Sequence, residues 1–187
     1  MTVPNIHSIA SIGVVEQHPV FTIGHSNAAI EKLVSLLKNN GVQVLVDVRS
    51  VPYSRHVPQA NREKVEEAVK NEGIKYLFMG DRLGGRPENV EVRDDLGNYD
   101  YSELAAAEGF KEGIGRLIRG ACEHRICLLC SEEDPVKCHR GLLISRELAK
   151  LGVEVRHIRH DGKVDSQAKL EERVPPVQKG LFSEKQQ

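Results

Sequence analysis

Tryptophan is absent from this 187-residue chain, and phenylalanine and tyrosine occur only four times each. A broad platform that stacks nucleic-acid bases needs more aromatic side chains, so we do not expect one. An excess of positive charge is also missing, since 26 Lys and Arg residues face 27 Asp and Glu residues and the formal net charge is −1. This balance argues against a surface built throughout to bind nucleic acid, although a local basic patch is compatible with it.

Long apolar runs are missing as well. No stretch comes near the roughly 18 consecutive apolar residues of a membrane helix. No basic segment precedes the first apolar residues, as it does in a secretory signal peptide. The four cysteines, three of which cluster between residues 127 and 138, do not make a secreted disulfide framework. We therefore expect a protein of the reducing cytoplasm with no membrane partner.

Short apolar runs rich in β-branched residues recur along the chain, and each is too short for a helix. They lie at 20–24, 42–48, 74–80, 125–130 and 153–158. Helical patterns alternate with them, at 28–40, 60–72, 101–119, 139–151 and 165–173. This alternation predicts an α/β domain of three layers, in which a mostly parallel five-stranded sheet carries helices on both faces.

The length and the composition are those of one globular domain, which we place at residues 19–173. Residues 1–18 are expected to form an N-terminal extension, and residues 174–187 a mobile C-terminal tail. Within the domain, residues 86–100 lack periodicity and form the longest connection.

Polar residues follow every predicted strand. Because ligands of parallel sheets bind outside the carboxyl ends of the strands, these residues are predicted to converge on one pocket. The candidate catalytic residues are Cys130, Cys138, His25 and Asp47. The candidate anion-binding residues are Arg49, Ser54, Arg55, Gly84, Gly85, Arg86, Arg140 and His157. Together with Arg82 and Arg159, these arginines predict a local positive field in a slightly acidic chain.

The segment CLLCSEEDPVKCHR, residues 127–140, is compatible with a metal site or a thiol site. Its first two cysteines are three residues apart in a predicted strand, where they point to opposite faces of the sheet. Cys127 is therefore interpreted as a core residue and not as a metal ligand. Cys130 ends the strand and Cys138 opens the next helix, so the loop between them can bring both sulfurs together. The helix N-terminus and Arg140 favour a thiolate at Cys138, whereas the acidic residues of the loop oppose it.

Five motifs in this order resemble the DUF488 family of uncharacterised bacterial and archaeal proteins: TIGHS, LVDVRSVPYSR, LGGRP, LLCSEEDPVKCHR and GVEVRHI. The resemblance covers roughly residues 20–165 and implies a compact α/β domain, without supplying a mechanism. A weaker likeness to rhodanese-type domains and to phosphatases with a cysteine loop concerns the fold alone. The anion-cradling loop of those proteins differs in length from the nine residues that separate Cys130 from Arg140 here.

Three hypotheses about function follow. The first is an enzyme with a thiol-containing, arginine-lined pocket that acts on an anionic substrate bearing phosphate, a nucleotide or sulfur, and it requires no cofactor. The second is a protein that binds zinc or iron through Cys130, Cys138 and His139 or a more distant histidine. The third is a binding module without turnover, which recognises a nucleotide or, against the indication of the net charge, nucleic acid.

Overall fold

The structure, a computed structural model, describes residues 17–86 and 100–174. The predicted N-terminal extension at 1–18 and the predicted tail at 174–187 lie almost entirely outside the described residues, and so does the connection at 86–100.

Six strands in the described part of the chain form one mixed sheet, in the order β3-β2-β4-β1-β5-β6. They are β1 (Val20–Gly24), β2 (Val44–Asp47), β3 (Lys75–Phe78), β4 (Ile126–Cys130), β5 (Val155–Ile158) and β6 (Val164–Ser166). The strands β1 to β5 run parallel to one another, and β6 pairs with β5 in the antiparallel direction. The predicted α/β class is confirmed, and the predicted count of five strands is corrected to six.

The strand β6 lies where the sequence predicts the start of a short helix at 165–173. A tight turn reverses the chain after β5, because Gly162 has a φ of 87° and its N–H donates to the carbonyl of Arg159 at 3.0 Å. An Asp-Gly pair is the typical sequence of a hairpin turn, so Asp161 and Gly162 are the signal for this strand. The helix that follows begins only at Gln167.

Within residues 17–86 and 100–174, seven α-helices accompany the sheet: α1 (Ile30–Asn39), α2 (Arg62–Asn71), α3 (Gly80–Leu83), α4 (Ser102–Ala106), α5 (Glu108–Glu123), α6 (Ser145–Lys150) and α7 (Gln167–Arg173). The predicted helix at 101–119 is divided at Ala107, whose extended backbone ends α4 and precedes α5. The predicted helix at 139–151 begins with a π-helical turn (Arg140–Ile144) that leads into α6.

Two hydrophobic cores lie on opposite faces of the sheet. Leu37 of α1 and Val65 of α2 pack on one face. The core on the other face takes its residues from α3 to α7, for example Leu83, Leu117 and Leu170. None of the helices in the described ranges combines the length and the apolar character that crossing a membrane requires.

The side chains of β4 alternate between these two cores. Cys127 and Leu129 belong to the core beneath α1 and α2, whereas Leu128 and Cys130 belong to the opposite core. Cys127 is fully buried, and burial raises the pKa of its thiol. The interpretation of Cys127 as a core residue, separate from the other two clustered cysteines, is confirmed.

Candidate functional site

The carboxyl ends of the parallel strands lie next to one another, and hydrogen bonds join the segments that follow them. After β1, the backbone N–H groups of His25 and Ser26 donate to the carbonyls of Cys130 at 3.0 Å and Ser131 at 2.7 Å. After β5, His160 contacts the carbonyl oxygen of Gly24 through Nε2 at 2.7 Å. The ends of β1, β4 and β5 therefore form one surface.

The segments after β2 and β3 continue this surface. The backbone N–H of Arg86, which follows β3, donates to Oγ of Ser50 after β2 at 3.0 Å. Nε2 of His139, which follows β4, lies 3.1 Å from the carbonyl oxygen of Val48 at the end of β2. The five strand exits therefore meet at one edge of the sheet.

Two thiols and one imidazole meet at this edge. The Sγ atoms of Cys130 and Cys138 lie 3.5 and 4.0 Å from Nδ1 of His139. These three atoms all lie within 4.8 Å of one another. All three side chains are buried, with exposed fractions of 5, 4 and 8%. From the sequence, His139 is predicted only as an alternative metal ligand. In the structure its ring lies between the two thiols and the end of β2, at the centre of the cluster.

The contact with Val48 determines the tautomer of His139. A carbonyl oxygen can only accept, so Nε2 carries the proton and donates it to Val48. In the neutral ring Nδ1 is then an acceptor, and it faces both sulfurs. The imidazole can therefore take a proton from a thiol or bind a metal ion.

The two thiols differ in acidity. A hydrogen bond with Cys138, followed by burial, raises the pKa of Cys130 well above its usual value. Burial also acts to raise the pKa of Cys138, but the hydrogen bond from Cys130 and the positive charge of Arg140 hold it well below its usual value. The opposite directions of the two shifts make Cys138 the thiol of the pair that ionises first.

Arg140 is fully buried beneath the loop that follows β4. Its terminal N–H groups donate to the carbonyls of Glu132 and Glu133, the second at 2.7 Å. Its Nε donates to Oγ1 of Thr22 at 3.4 Å. Because Arg140 has no exposed surface, it influences the site through its charge and through the loop that it holds.

Gly85 allows the chain after β3 to pack against the ring of His139. A Cβ atom on Gly85 would lie 2.4 Å from Cγ of the imidazole, so a larger residue would displace the ring. A Cβ atom on Gly84 would lie equally close to Oγ of Ser50. Both glycines are buried, and their anion-binding role stays a prediction.

A cleft of about 380 Å³ opens between the segments that follow β1, β2 and β4. Its walls are formed by His25, Ser26, Asn27, Arg49, Val51, Tyr53, Ser54, Val57, Ser131 and Glu132. Ser26 has a φ of 45° and is the one non-glycine residue with a left-handed backbone in the described ranges. Strained backbone of this kind is concentrated at functional sites. Val51 and Tyr53 are 72 and 62% exposed and give the cleft an apolar rim.

His25 places a neutral imidazole in the wall of this cleft. Nδ1 donates to the carbonyl of Ser26 at 2.7 Å, which leaves Nε2 as an acceptor. Burial and the neighbouring charge of Arg49 lower the pKa of His25 to about 4. His25 is therefore a weak base at neutral pH.

A buried network holds Arg49 in the wall of the cleft. Asp47 accepts hydrogen bonds from Nε and Nη2 of Arg49 at 2.9 and 2.5 Å, and from the hydroxyl of Tyr76 at 2.7 Å. Arg49 also donates to the carbonyl of Ala60 at 2.7 Å. Burial, together with the charge of Asp47, raises the pKa of Tyr76, so its hydroxyl remains a donor. Asp47 thus fixes Arg49, and Tyr76 is a member of the site that no sequence motif indicates.

His157 belongs to a second buried network, next to Arg140. Its Nδ1 lies 2.8 Å from Oγ1 of Thr22, and its Nε2 lies 2.9 Å from Oε1 of Gln167. The amide oxygen only accepts, so Nε2 carries the proton and the Thr22 hydroxyl donates to Nδ1. Burial lowers the pKa of His157 to about 4. The ring is fully buried and does not line the cleft.

Acidification is expected to destabilise the protein through His157. Its pKa is about 4 in the folded chain and about 6.5 in the unfolded chain. Between these values the unfolded chain binds a proton that the folded chain does not, so the free energy of unfolding falls as the pH falls. The expected loss from pH 7 to pH 5 is about 2 kcal/mol for this residue. Urea unfolding at both pH values measures the loss.

The variant His157→Gln has no titrating ring at this position. Between pH 7 and pH 5, its free energy of unfolding should fall by about 2 kcal/mol less than that of the natural sequence. An equal fall in both proteins would contradict the assignment of a neutral, buried His157.

Carboxylates neutralise part of the positive charge at the strand ends. Arg159 pairs with Glu133 at 2.7 Å and with Asp134 at 3.4 Å. Arg55 and Arg86 are exposed, and neither guanidinium has a partner among the residues that the structure describes. Among the arginines of the strand exits in those residues, Arg55 and Arg86 are the exposed ones without an ion-pair partner.

Ser54 shapes the loop that carries Arg55. Its Oγ accepts hydrogen bonds from the backbone N–H groups of His56 and Val57, both at 3.2 Å. Its own N–H donates to Oδ1 of Asn61 at 2.7 Å. These bonds hold the exposed loop beside the cleft.

The comparison with family models finds one domain. A model described as "Domain of unknown function DUF488" matches residues 29–146. The matched span contains Arg49 and all members of the thiol–imidazole cluster, whereas His25 precedes it and His157 follows it. A search of curated proteins and a search of solved structures returned no significant match. Because the matched span takes in more than half of the chain, this protein belongs to the DUF488 family.

Proposed function

We propose that this protein is an enzyme of the reducing cytoplasm, which binds a small anionic substrate in the cleft at the strand ends and acts on it with the thiolate of Cys138. Cys130 stabilises that thiolate with a hydrogen bond, and His139 accepts protons at Nδ1. The observation that carries the proposal is the position of Nδ1 of His139, which lies 3.5 and 4.0 Å from the Sγ atoms of Cys130 and Cys138.

The loop between the two thiols contributes residues to the wall of the cleft. Ser131 lines the cleft and follows Cys130 in the chain. His25, on the same wall, donates its backbone N–H to the carbonyl of Cys130 at 3.0 Å. Because the thiols are almost completely buried, a substrate reaches them when the wall opens. In this proposal the loop at 51–57, which carries two exposed apolar side chains, moves to open the wall.

Positive charge selects the substrate in this proposal. Arg49 lines the cleft with its guanidinium held by Asp47. Arg55 follows the lining residue Ser54, and Arg86 donates its backbone N–H to Ser50. Both guanidinium groups are exposed, and no carboxylate of the described residues neutralises them. Guanidinium groups bind phosphate and carboxylate in a bidentate manner. The substrate class that fits is therefore a small molecule with at least one such anionic group.

An anion that occupies the cleft is expected to raise the melting temperature of the protein. Phosphate or a mononucleotide at 100 times its dissociation constant should add about 2.7 kcal/mol to the free energy of unfolding. The double variant Arg55→Ala/Arg86→Ala should need a higher concentration of anion for the same shift. Thermal unfolding at low ionic strength, at increasing concentrations of each anion, measures the effect.

The matched control is Arg119→Ala, which removes an exposed arginine of α5 near the opposite edge of the sheet. This variant should respond to the anions as the natural sequence does. If neither anion stabilises the protein, or if the double variant responds like the control, the proposed anion-binding cleft is wrong.

A further inference from the structure

The cluster of Cys130, Cys138 and His139 has the dimensions of a metal site. Tetrahedral zinc bound to sulfur at about 2.3 Å and to nitrogen at about 2.0 Å places a sulfur and a nitrogen about 3.6 Å apart, and two sulfurs about 3.8 Å apart. The observed distances from Nδ1 to the two sulfurs are 3.5 and 4.0 Å. All three donor atoms lie within 4.8 Å of one another. Movements of these atoms by about 1 Å or less therefore give the distances of tetrahedral zinc coordination.

The imidazole of His139 is already oriented for a metal ion. Metal-binding histidines typically donate their second ring N–H to a backbone carbonyl or a carboxylate, which fixes the ring and its tautomer. Nε2 of His139 makes this bond to Val48 at 3.1 Å. Gly85 holds the ring from the other side, where a Cβ atom would lie 2.4 Å from the imidazole.

The charges of the site favour a divalent cation together with an anion. Two thiolates carry two negative charges, and buried thiolates need nearby positive charge. A divalent metal ion balances both thiolates, and the buried guanidinium of Arg140 then leaves one positive charge in excess. An anion at the fourth coordination position neutralises this excess.

We propose that Cys130, Cys138 and His139 bind one zinc ion through their Sγ and Nδ1 atoms and leave the fourth coordination position to an exogenous ligand. Two thiolates and one imidazole are donors that suit zinc. A site with three protein ligands and one exchangeable position is typical of catalytic zinc, whereas structural zinc has four protein ligands. Zinc would occupy the Sγ atom of Cys138 and the Nδ1 atom of His139, so the zinc-bound form is an alternative to the free thiolate of the proposed enzyme. The same donors would also bind zinc in a protein without turnover.

Metal content tests this inference most simply. The full chain is reduced, treated with a chelator, dialysed against zinc and analysed by mass spectrometry of the metal. We expect one zinc per chain in the natural sequence and a loss of at least 90% of that zinc in Cys138→Ser and in His139→Gln. The controls Cys122→Ser and Cys127→Ala change cysteines outside the cluster and should retain one zinc per chain.

Cobalt substitution provides a second measurement on the natural sequence, in case a ligand variant does not fold. Bound Co²⁺ should show thiolate-to-metal charge-transfer absorption, and added zinc should abolish it. Less than 0.1 zinc per chain, or equal zinc in the ligand variants and the controls, would overturn the zinc assignment. These outcomes are separate from the proposed anion-binding cleft, whose thermal test is carried out on chelator-treated protein.

Discussion

Replacement of Asp47 by alanine is expected to lower the free energy of unfolding by about 3–5 kcal/mol, because it leaves a buried charge without its partner. Asp47 has no exposed surface and Arg49 is only 5% exposed. Two hydrogen bonds, at 2.9 and 2.5 Å, join the carboxylate to the guanidinium. Urea unfolding at pH 7 measures the loss, and the anion titration reports whether Arg49 keeps its place in the cleft.

The variant Tyr76→Phe is the matched control for this experiment. It removes only the hydroxyl that donates to Asp47 at 2.7 Å, so the expected loss is about 1 kcal/mol. A loss below about 1 kcal/mol for Asp47→Ala would mean that water reaches the pair and that the network does not hold Arg49 rigidly.

The variant Arg140→Met is expected to destabilise the protein by about 3 kcal/mol or more. The side chain is fully buried, and it donates charge-assisted hydrogen bonds to the carbonyls of Glu132 and Glu133. Such bonds contribute about 1.5–3 kcal/mol each. Their loss releases the loop between Cys130 and Cys138, so the thiol pair is expected to separate as well. Urea unfolding and zinc content measure the two effects.

The variant Arg140→Lys keeps the positive charge but not the planar group that reaches both carbonyls. It should therefore lose less stability than Arg140→Met and retain part of the zinc. Equal stability of Arg140→Met and the natural sequence would contradict the role of Arg140 as the support of this loop.

The architecture could be predicted because it follows from short-range patterns. Buried strands and intervening helices have different periods, and their alternation requires parallel strands that are joined by crossovers. The opposite faces of Cys127 and Cys130 follow from the same period of two. The strand β6 is harder to predict, because three residues with exposed or half-exposed side chains carry little pattern. The Asp161-Gly162 turn is the signal that indicates it.

The site could be predicted only as a region. The convergence of the strand exits follows from the parallel sheet, whereas the partner of each side chain depends on contacts between distant segments. Arg159 binds Glu133, which lies 26 residues earlier in the chain, and His157 binds Thr22 across 135 residues. The place of His139 between the thiols and β2 depends on its bond to Val48 and on the close approach of Gly85. None of these contacts leaves a periodic pattern in the sequence from which it could be predicted.

The most direct test of the account is the rate at which iodoacetamide labels each cysteine of the reduced, chelator-treated protein, followed by peptide mass spectrometry at pH 7. We expect that Cys138 is labelled before Cys130 and Cys127, and that saturating phosphate or nucleotide slows the labelling of Cys138. Cys122 is exposed and lies outside the cluster, so its rate should not change with the anion. If Cys122 is labelled while Cys138 stays unmodified, Cys138 is not a reactive thiolate. If Cys138 is labelled at the same rate with and without the anion, the anion does not bind next to this thiol. Either result would contradict the proposed function.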